Sequence, residues 1–377
     1  MSYDAIVVGA GGMGSAVAYQ LARRGARVLA LERFGIAHEQ GSSHGFTRII
    51  RLAYFEHPSY VPLLARAYEL WEELERSSGE SLLHITGSID AGLPDSRTVT
   101  GSLHSCQVHA LPHDVLTSGE LSRRFPGYRL PGEYMAVLQP QGGFLVPERC
   151  ISTHVAMAAR HGADVHTEEA LLGWEATAHG VAVTTSRGRY EAGQLVIAAG
   201  SWTGALVPAL APILSPERQV LAWFDVADRA LHSPERFPVF NLDLGGEHWY
   251  GFPEFGTPGF KIGCYHHLRE VVDPDRLDRS AVTAHDMSLL HSVVGRCFPA
   301  VGSEALLTKT CLFTNTPDEH FILDRLPGAP QVVIAHACSG HGFKFCPVVG
   351  EIVADLVLHD RTRHDIALHR ISRFSLA

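Results

Sequence analysis

A run of glycines near the start of the chain has the spacing needed to approach a phosphate group. The run is Gly9-Ala10-Gly11-Gly12-Met13-Gly14. Gly9 permits a tight turn, Gly11 lets the backbone approach a pyrophosphate, and Gly14 allows a helix to pack closely on a strand. The N–H groups that open the next helix would meet the phosphates with the positive end of the helix dipole. The pattern predicts a dinucleotide site.

An acidic residue follows at the distance that such a site requires. Glu32 ends the apolar run 28–31, where its carboxylate can accept hydrogen bonds from ribose hydroxyls. A 2′-phosphate would be repelled there, which disfavours NADP, although Arg33 beside it weakens that argument. The motif does not distinguish FAD from NAD, and a purely structural glycine turn is the alternative.

The elements that would position these residues alternate between strand and helix. Residues 5–8 and 27–31 are apolar strand patterns, and residues 15–24 between them have helical spacing. Much later, residues 194–198 predict a buried strand that runs into Ala199-Gly200. Such a strand closes the far side of a dinucleotide site, so Gly200 is a predicted cofactor contact. The fold class expected is α/β, with a Rossmann-type domain.

The remaining patterns suggest a second domain, since 377 residues exceed what one core usually serves. Residues 216–310 are β-rich, whereas residues 347–359 have the apolar spacing of a helix. We predict a discontinuous dinucleotide-binding domain over 1–85, 146–215 and 320–377. A β-rich, α+β substrate-binding domain is predicted over 86–145 and 216–319.

Composition excludes several classes of protein. The 31 Lys and Arg against 40 Asp and Glu give a net charge of −9, which argues against nucleic-acid and membrane-surface binding. No apolar run is long enough to span a membrane and the first residues do not have the pattern of a signal peptide, so a cytoplasmic location is expected. The seven cysteines lack close pairs, and neither HExxH nor zinc-finger spacing occurs, so we predict reduced thiols and no metal.

Three further regions combine charged, aromatic and small residues in a way that suggests a reaction site. They are residues 41–51 (GSSHGFTRIIR) with Tyr54 and Glu56; residues 250–253 (YGFP) and 259–263 (GFKIG); and residues 311–314 (CLFT), 316–321 (TPDEHF) and 339–345 (SGHGFKF).

Together with the glycine run, these regions closely resemble monomeric sarcosine oxidase and N-methyltryptophan oxidase, within the glycine oxidase and D-amino-acid oxidase-like flavoproteins. The resemblance extends over nearly the whole chain in order and spacing. It implies an FAD cofactor, a small amino-acid or amine substrate, O₂ as the electron acceptor with H₂O₂ as product, and a monomeric chain.

The resemblance also implies how the flavin is held. Cys311 matches the cysteine that forms a thioether to the flavin 8-methyl group; Cys338 and Cys346 are competing thiols, and a buried structural thiol is the alternative. His44 and Arg48 match residues near the flavin ring, although Arg48 could instead be a structural ion-pair residue. The remaining predicted cofactor contacts are Ser42, Gly340 and Gly342, the last two at a helix start beside the flavin pyrimidine.

Substrate contacts follow from the same resemblance. Arg51 and Lys344 match the pair that holds a substrate carboxylate, one as a planar fork and the other as a point charge. Tyr54 and Phe313 are predicted to line the same pocket.

Three catalytic residues are implied as well. Lys261 matches the lysine over the flavin that promotes reaction with O₂, because a fixed cation stabilises the negative charge that develops on oxygen. A surface lysine at a strand end is the alternative. Tyr250 is the second catalytic candidate. The third is a histidine, and since the segment after Lys261 looks one residue longer than in the family, it could be His266 or His267; His266 is preferred.

Two departures from the family bear on the substrate. Phe313 replaces a tyrosine and Phe46 replaces an acid, which suggests an N-substituent other than a simple methyl group. N-demethylation, glycine-oxidase-type cleavage of an N-carboxymethyl amine, and oxidation of N-methyltryptophan or of a ring amino acid such as pipecolate all remain open. The other classes considered are an NAD-dependent dehydrogenase and a non-catalytic flavoprotein subunit.

Overall fold

The computed structural model describes residues 2–375 and contains two eight-stranded sheets and one three-stranded sheet. In chain order the strands are β1 Tyr3–Val8, β2 Val28–Leu31, β3 Arg48–Ile50, β4 Leu83–Ile85, β5 Ser88–Gly92, β6 Asp114–Thr117, β7 Met135–Gln139, β8 Gly143–Leu145, β9 Asp164–His166, β10 Leu171–Thr177, β11 Gly180–Thr185, β12 Arg189–Ile197, β13 Ser215–Val226, β14 Val239–Leu244, β15 Glu247–Phe252, β16 Phe260–Cys264, β17 Val301–Asn315, β18 Ile322–Leu326 and β19 Ala329–His336. The α-helices are α1 Gly12–Ala22, α2 Tyr60–Ser78, α3 Arg97–Val108, α4 Ser118–Arg124, α5 Pro147–Arg160, α6 Thr203–Leu206, α7 Ala284–Cys297 and α8 Cys346–His359.

The first large sheet has a parallel centre. β1 pairs in parallel with β12 and β2, β9 continues beyond β2, and β19 pairs in parallel with β12. β10 and β11 extend it as an antiparallel meander, and β18 pairs antiparallel with β19. Parallel strands covered on both faces read as continuous apolar runs, and residues 5–8 and 28–31 are buried throughout.

Small residues let helix α1 pack closely within this domain. Almost all of α1 is buried, and it packs on β1, β2, α5 and α8. A Cβ on Gly350 of α8 would lie 2.7 Å from the carbonyl oxygen of Ala16, so the two helices approach at backbone distance. The strand, glycine turn, helix and strand form the Rossmann-type unit that the sequence predicted, and the α/β fold class is confirmed.

The second large sheet presents two different faces because side chains alternate along a strand. Its strand order is β17-β13-β16-β15-β14-β5-β7-β6, and all pairs except β14–β5 are antiparallel. One face packs on α7 and is apolar, with members such as Val220, Phe224 and Ile262. Leu221, Trp223 and other alternate residues occupy the opposite face, which carries the residues described below.

The sequence did not predict four helices. The segment 80–145 contains α3 and α4, α6 follows Gly200 closely, and the β-rich segment 216–310 contains α7. The starts of α3, α4 and α7 are fixed by the polar caps Ser96, Thr117 and Thr283. Thr283 and Asp286 form a capping box at α7, which is a local signal that could have been recognised.

The two large sheets take their strands from alternating segments of the chain. The first large sheet takes strands from residues 3–31, 164–197 and 322–336, and the second takes strands from residues 88–139 and 215–315. The exact domain limits given above stay a prediction. No helix within residues 2–375 has the length and apolar character to cross a bilayer. Over the same residues, no three His, Cys, Asp or Glu side chains are grouped to hold a metal ion.

Candidate active site

A cavity of about 520 Å³ begins at the glycine turn after β1 and extends toward β17. Eleven predicted site residues line it: Gly9, Gly11, Gly12, Glu32, Arg33, Ser42, Arg48, Gly200, Phe313, Gly340 and Gly342. These residues were predicted from separate parts of the chain, and the fold brings them together at one cavity.

Each glycine of the turn is required for a different structural reason. Gly9 has a φ of +92°, and a Cβ on it would lie 2.5 Å from the carbonyl oxygen of Ala198 on the neighbouring strand segment. A Cβ on Gly14 would lie 1.7 Å from the carbonyl oxygen of Gly9, so Gly14 serves packing and does not line the cavity. A Cβ on Gly11 would meet no protein atom within 4 Å. Space for a bulky phosphate group therefore lies beside Gly11.

Glu32 is a buried anion at the end of β2. Its carboxylate accepts hydrogen bonds from the N–H groups of Ala10 at 2.8 Å and Phe34 at 3.0 Å, and His38 Nε2 lies 3.3 Å away. Burial opposes ionisation, but these partners outweigh it and lower the pKa of Glu32. Arg33 also lines the cavity, with its guanidinium 2.7 Å from Asp275. The backbone of the glycine turn therefore holds the Glu32 carboxylate in place.

Cys311 lies at the border of this cavity. It is buried on β17, and its Sγ is 3.6 Å from the carbonyl oxygen of Ser42 and 3.6 Å from Nη2 of Arg48, both of which line the cavity. Cys338 lines the cavity too, but burial raises the pKa of its thiol to about 12. Cys346 packs below Gly12, and burial holds its pKa well above the ordinary value. Of these three thiols, Cys311 is the one within reach of a guanidinium.

Lys261 is a buried cation on β16. Its Nζ donates hydrogen bonds to the carbonyl oxygens of Gly45 (2.6 Å) and Thr47 (2.8 Å) and to Oγ1 of Thr47 (2.9 Å). The rings of Phe252 and Trp223 lie 4.3 Å and 5.4 Å from it. Burial, followed by the charge of Arg48, lowers its pKa well below the usual value. The surface-lysine alternative is thereby excluded.

His44 and Arg48 flank this lysine. His44 is buried, and neither of its ring nitrogens has a hydrogen-bond partner within residues 2–375. Burial, then the charge of Arg48, lowers its pKa to about 3, so the imidazole is neutral at physiological pH. Arg48 donates to the carbonyl oxygens of Thr47 and Ser42, each at 2.8 Å, and makes no ion pair with a carboxylate of the described residues. The structural ion-pair alternative for Arg48 therefore has no support.

Arg51 and Lys344 lie against the same aromatic ring. The guanidinium carbon of Arg51 is 4.4 Å from the ring centre of Tyr54, and Nζ of Lys344 is 5.3 Å from it. Lys344 donates to the carbonyl oxygen of His341 at 2.7 Å. Burial, then the charge of Arg51, lowers the pKa of Lys344 to about 7. The two cations predicted as a pair are therefore neighbours.

The sequence missed that Arg51 already has internal carboxylate partners. Its Nη2 lies 2.8 Å and 2.9 Å from the two carboxylate oxygens of Glu56, and its Nε lies 3.7 Å from Asp90. Asp90 is held by Ser102 and Asn241, each at 2.7 Å. Burial opposes the charge on Arg51, but the two carboxylates raise its pKa overall.

Aromatic side chains from three strands form a wall beside these cations. The rings of Tyr250 and Tyr265 are 5.0 Å apart, and those of Tyr265 and Phe313 are 5.7 Å apart. Tyr265 was not predicted. Counting in steps of two from Lys261 along β16 would have identified it, since position 265 shares a face with position 261.

Neither predicted histidine lines this cavity, and the catalytic role of His266 stays a prediction. Its two ring nitrogens lie 2.9 Å from Glu217 and 3.0 Å from Glu319, and these hydrogen bonds raise its pKa to about 9. His267 pairs with Asp286 of α7 at 2.8 Å, on the apolar face of the sheet. Tyr265, directly after β16, continues the alternation of that strand on the Lys261 face.

The residues fit the FAD that the resemblance implies. The glycine turn and the N-terminus of α1 suit a pyrophosphate, and the cavity continues from there to Arg48 and Phe313. Ser42 lines that far end and His44 follows two residues later; Oγ of Ser42 and both ring nitrogens of His44 are buried and have no hydrogen-bond partner among residues 2–375. A polar heterocycle bound there would supply such partners.

The chain is similar to known proteins over nearly its whole length. The profile of the family described as FAD dependent oxidoreductase matches residues 4–356. The monomeric sarcosine oxidase of Streptomyces avermitilis is 44% identical, over 100% of this chain and 99% of that protein. The N-methyl-L-tryptophan oxidase of Salmonella dublin is 36% identical, over 100% of both. A solved structure of NikD, an unusual amino acid oxidase essential for nikkomycin biosynthesis, has 29% identity and a TM-score of 0.83, covering 98% of this chain and 97% of that one.

Proposed function

Since the chain belongs to the FAD dependent oxidoreductase family, in the group of monomeric sarcosine oxidase and N-methyltryptophan oxidase, we propose that it oxidises secondary-amine amino acids. The products are an imine, which hydrolyses in water, and H₂O₂ formed from O₂. The chemistry that bound FAD supplies is two-electron oxidation of the C–H bond next to nitrogen and transfer of the electrons to O₂.

The observation that carries the proposal is the pair of buried cations on one tyrosine ring. Arg51 and Lys344 each lie within 5.3 Å of the ring centre of Tyr54, beside the aromatic wall of Tyr250, Tyr265 and Phe313. A carboxylate between two such cations gains charge-assisted hydrogen bonds and a fixed orientation. The amine end of an α-amino acid would then face the aromatic wall.

Binding of that carboxylate requires a rearrangement of the Arg51 partners. Glu56 already accepts from Nη2 of Arg51 through both oxygens, so a substrate carboxylate must displace it or bind beside it. Lys344 has a backbone carbonyl as its partner at 2.7 Å, and no carboxylate of residues 2–375 forms an ion pair with it within 4.0 Å. We propose that Lys344 makes the first contact with substrate and that Arg51 completes the grip.

The aromatic wall orients the substrate and does not act as a base. Burial raises the pKa of both Tyr250 and Tyr265 above the ordinary value, so their hydroxyl groups stay neutral. A neutral hydroxyl can accept or donate one hydrogen bond to an amine without changing its charge. The substrate amine therefore has to arrive, or become, deprotonated by exchange with solvent.

We further propose that Cys311 carries the flavin covalently and that Lys261 promotes reoxidation. What supports the first is the position of the sulfur at the border of the cavity, 3.6 Å from Nη2 of Arg48 and 3.6 Å from the carbonyl oxygen of Ser42, both of which line it. What supports the second is a cation fixed by three acceptors in a site without exposure, where charge developing on oxygen is strongly stabilised.

The substrate class is testable by its N-substituent. Phe313 and the aromatic wall give the site apolar surface, which favours an N-substituent or ring larger than a methyl group. A peroxide-coupled screen would compare sarcosine, N-alkyl glycines, N-carboxymethyl amines, glycine, proline and pipecolate. We expect the larger or cyclic substrates to exceed sarcosine in kcat/KM. A strong preference for sarcosine would refute this substrate class, and peroxide from none of them would favour the non-catalytic alternative.

A further inference from the structure

The loop that holds Lys261 is itself held from the other side. Residues 44–48 connect to β3, and within them Gly45 and Phe46 have φ values of +93° and +69°. Two successive left-handed residues turn carbonyl groups to one side and N–H groups to the other. The carbonyl oxygens of Gly45 and Thr47 accept from Lys261.

The N–H groups on the opposite side of the loop meet one carboxylate. Oε1 of Glu148 accepts hydrogen bonds from the N–H of Gly45 at 2.6 Å and of Phe46 at 3.0 Å. Glu148 lies in the first turn of α5, where the helix dipole stabilises a negative charge. The helix therefore holds in place a loop in which a non-glycine residue, Phe46, adopts the left-handed conformation.

The second carboxylate oxygen of Glu148 has a different environment from the first. Oε2 is buried and accepts no hydrogen bond from the residues that the structure describes. The carboxylate charge is thus only partly compensated, and it acts on Lys261, where it opposes the effect of Arg48. The other titratable groups around Lys261 are His44 and Lys309 beside the loop and Cys311 on β17, and the remaining neighbours are the rings of Phe252 and Trp223.

We propose that Glu148 is a positioning residue for the reaction with O₂: it fixes the Gly45–Thr47 loop around Lys261 and places a carboxylate on the other side of that loop. The inference rests on the proposed oxidase function. Nothing in it requires Glu148 to touch flavin or substrate.

The test separates the two half-reactions in the purified holoenzyme. Flavin reduction by substrate without oxygen and reoxidation by O₂ would be measured from pH 6 to 9 for the wild type, Glu148→Gln and Glu148→Ala. The Gln variant retains an acceptor oxygen without the charge. Glu120→Gln is the matched control, because Glu120 also lies in the first turn of a helix, α4, but is exposed and far from the cavity lining.

The expected result is specific to reoxidation. Removal of the Glu148 charge lowers the pKa of Lys261, so reoxidation by Glu148→Gln should be about three- to tenfold slower than in the wild type where Lys261 titrates, and its decline with rising pH should begin at a lower pH. Glu148→Ala should be slower at every pH. Flavin reduction should change less than about twofold in Glu148→Gln. The flavin reduction potential should fall, because Lys261 loses its positive charge at a lower pH than in the wild type.

Two outcomes would overturn the inference, and a third would overturn the function beneath it. Reoxidation by Glu148→Gln that matches the wild type and the Glu120→Gln control at every pH excludes the positioning role. Equal slowing of both half-reactions with no pH dependence would indicate a merely structural role. If Lys261→Met also reoxidises at the wild-type rate, the fault lies with the proposed role of Lys261 and not with Glu148.

Discussion

At the scale of single residues, the site is governed by buried charges that are neutralised in pairs. Arg51 has Glu56 and Asp90, and Lys261 has carbonyl oxygens together with the charge of Glu148. Lys344 is the exception, since its close partner is a single carbonyl oxygen. A buried cation without a carboxylate partner loses its proton easily, so the behaviour of Lys344 should depend on pH.

The first prediction concerns that dependence. With a pKa lowered to about 7, Lys344 is charged below pH 7 and neutral above it, so its share of substrate binding should disappear as pH rises through 7. In Lys344→Arg the side chain stays charged at all these pH values. The ratio of kcat/KM for the variant to that of the wild type should therefore rise by about tenfold between pH 6 and 9. Taking the ratio cancels the ionisation of the substrate amine, and a ratio that does not vary with pH would contradict the prediction.

The second prediction concerns the stability contributed by His266. Its pKa in the folded chain is raised to about 9 by hydrogen bonds to Glu217 and Glu319, against an ordinary value of 6.5. The stabilisation is therefore complete below pH 6.5 and is lost as pH rises through 9. Chemical denaturation should show a free energy of unfolding that falls by about 1–3 kcal/mol between pH 7 and 10.

His266→Gln should be less stable than the wild type at pH 7 and should lack most of that fall. His179→Gln is a suitable control, because His179 is an exposed residue at the tip of the β10–β11 hairpin. Equal slopes of stability against pH in the wild type and His266→Gln would contradict the assignment.

At the scale of elements, features that depend on one contiguous stretch of sequence were predicted, whereas features that depend on contacts between distant segments were not. β1, α1 and β2 follow from a contiguous pattern, and their predicted limits differ from the observed ones by at most three residues. The glycines and Glu32 were found because their roles depend on that one unit. Glu56, Asp90, Tyr265 and Glu148 were not assigned roles, because these depend on which strand or loop lies opposite, and pairing across such distances has no local signal.

Strand alternation explains how β13, β16 and β17 build one wall of the site. Arg218 lies on the apolar face and pairs with Asp286 of α7 at 2.8 Å, so Gln219 next to it faces the other way, opposite Cys311 in the pairing with β17. Lys261 and Tyr265 share this face. A shift of one residue in the register of β17 would turn Cys311 toward the apolar core.

The third prediction follows from the position of Cys311 on β17. In Cys311→Ser the flavin should be released when the protein is precipitated with acid, whereas in the wild type and in Cys338→Ser it should stay with the protein. Cys338 is the matched control because it lines the same cavity but has a thiol pKa raised to about 12 by burial. Acid-stable flavin in Cys311→Ser would contradict the assignment.

At the scale of the whole molecule, a chain of net charge −9 has two groups of cations in its interior. Arg48, Lys261 and Lys309 lie around the loop 44–48, and Arg51 and Lys344 lie around Tyr54. The surface can therefore repel anions in general while the interior selects one carboxylate. The two large sheets supply different parts of this arrangement, with the glycine turn from the first and Lys261 and Cys311 from the second.

The central claim is that an amino-acid carboxylate held by Arg51 and Lys344 delivers its amine for oxidation by FAD. The most direct measurement is anaerobic mixing of the purified chain with the best substrate of the screen, while the flavin absorbance at about 450 nm is followed. We predict complete bleaching, recovery with H₂O₂ on admission of air, and a substrate Kd that rises at least about tenfold in Lys344→Met and Arg51→Met. Flavin that no amino acid reduces, or an unchanged Kd in both variants, would contradict the account.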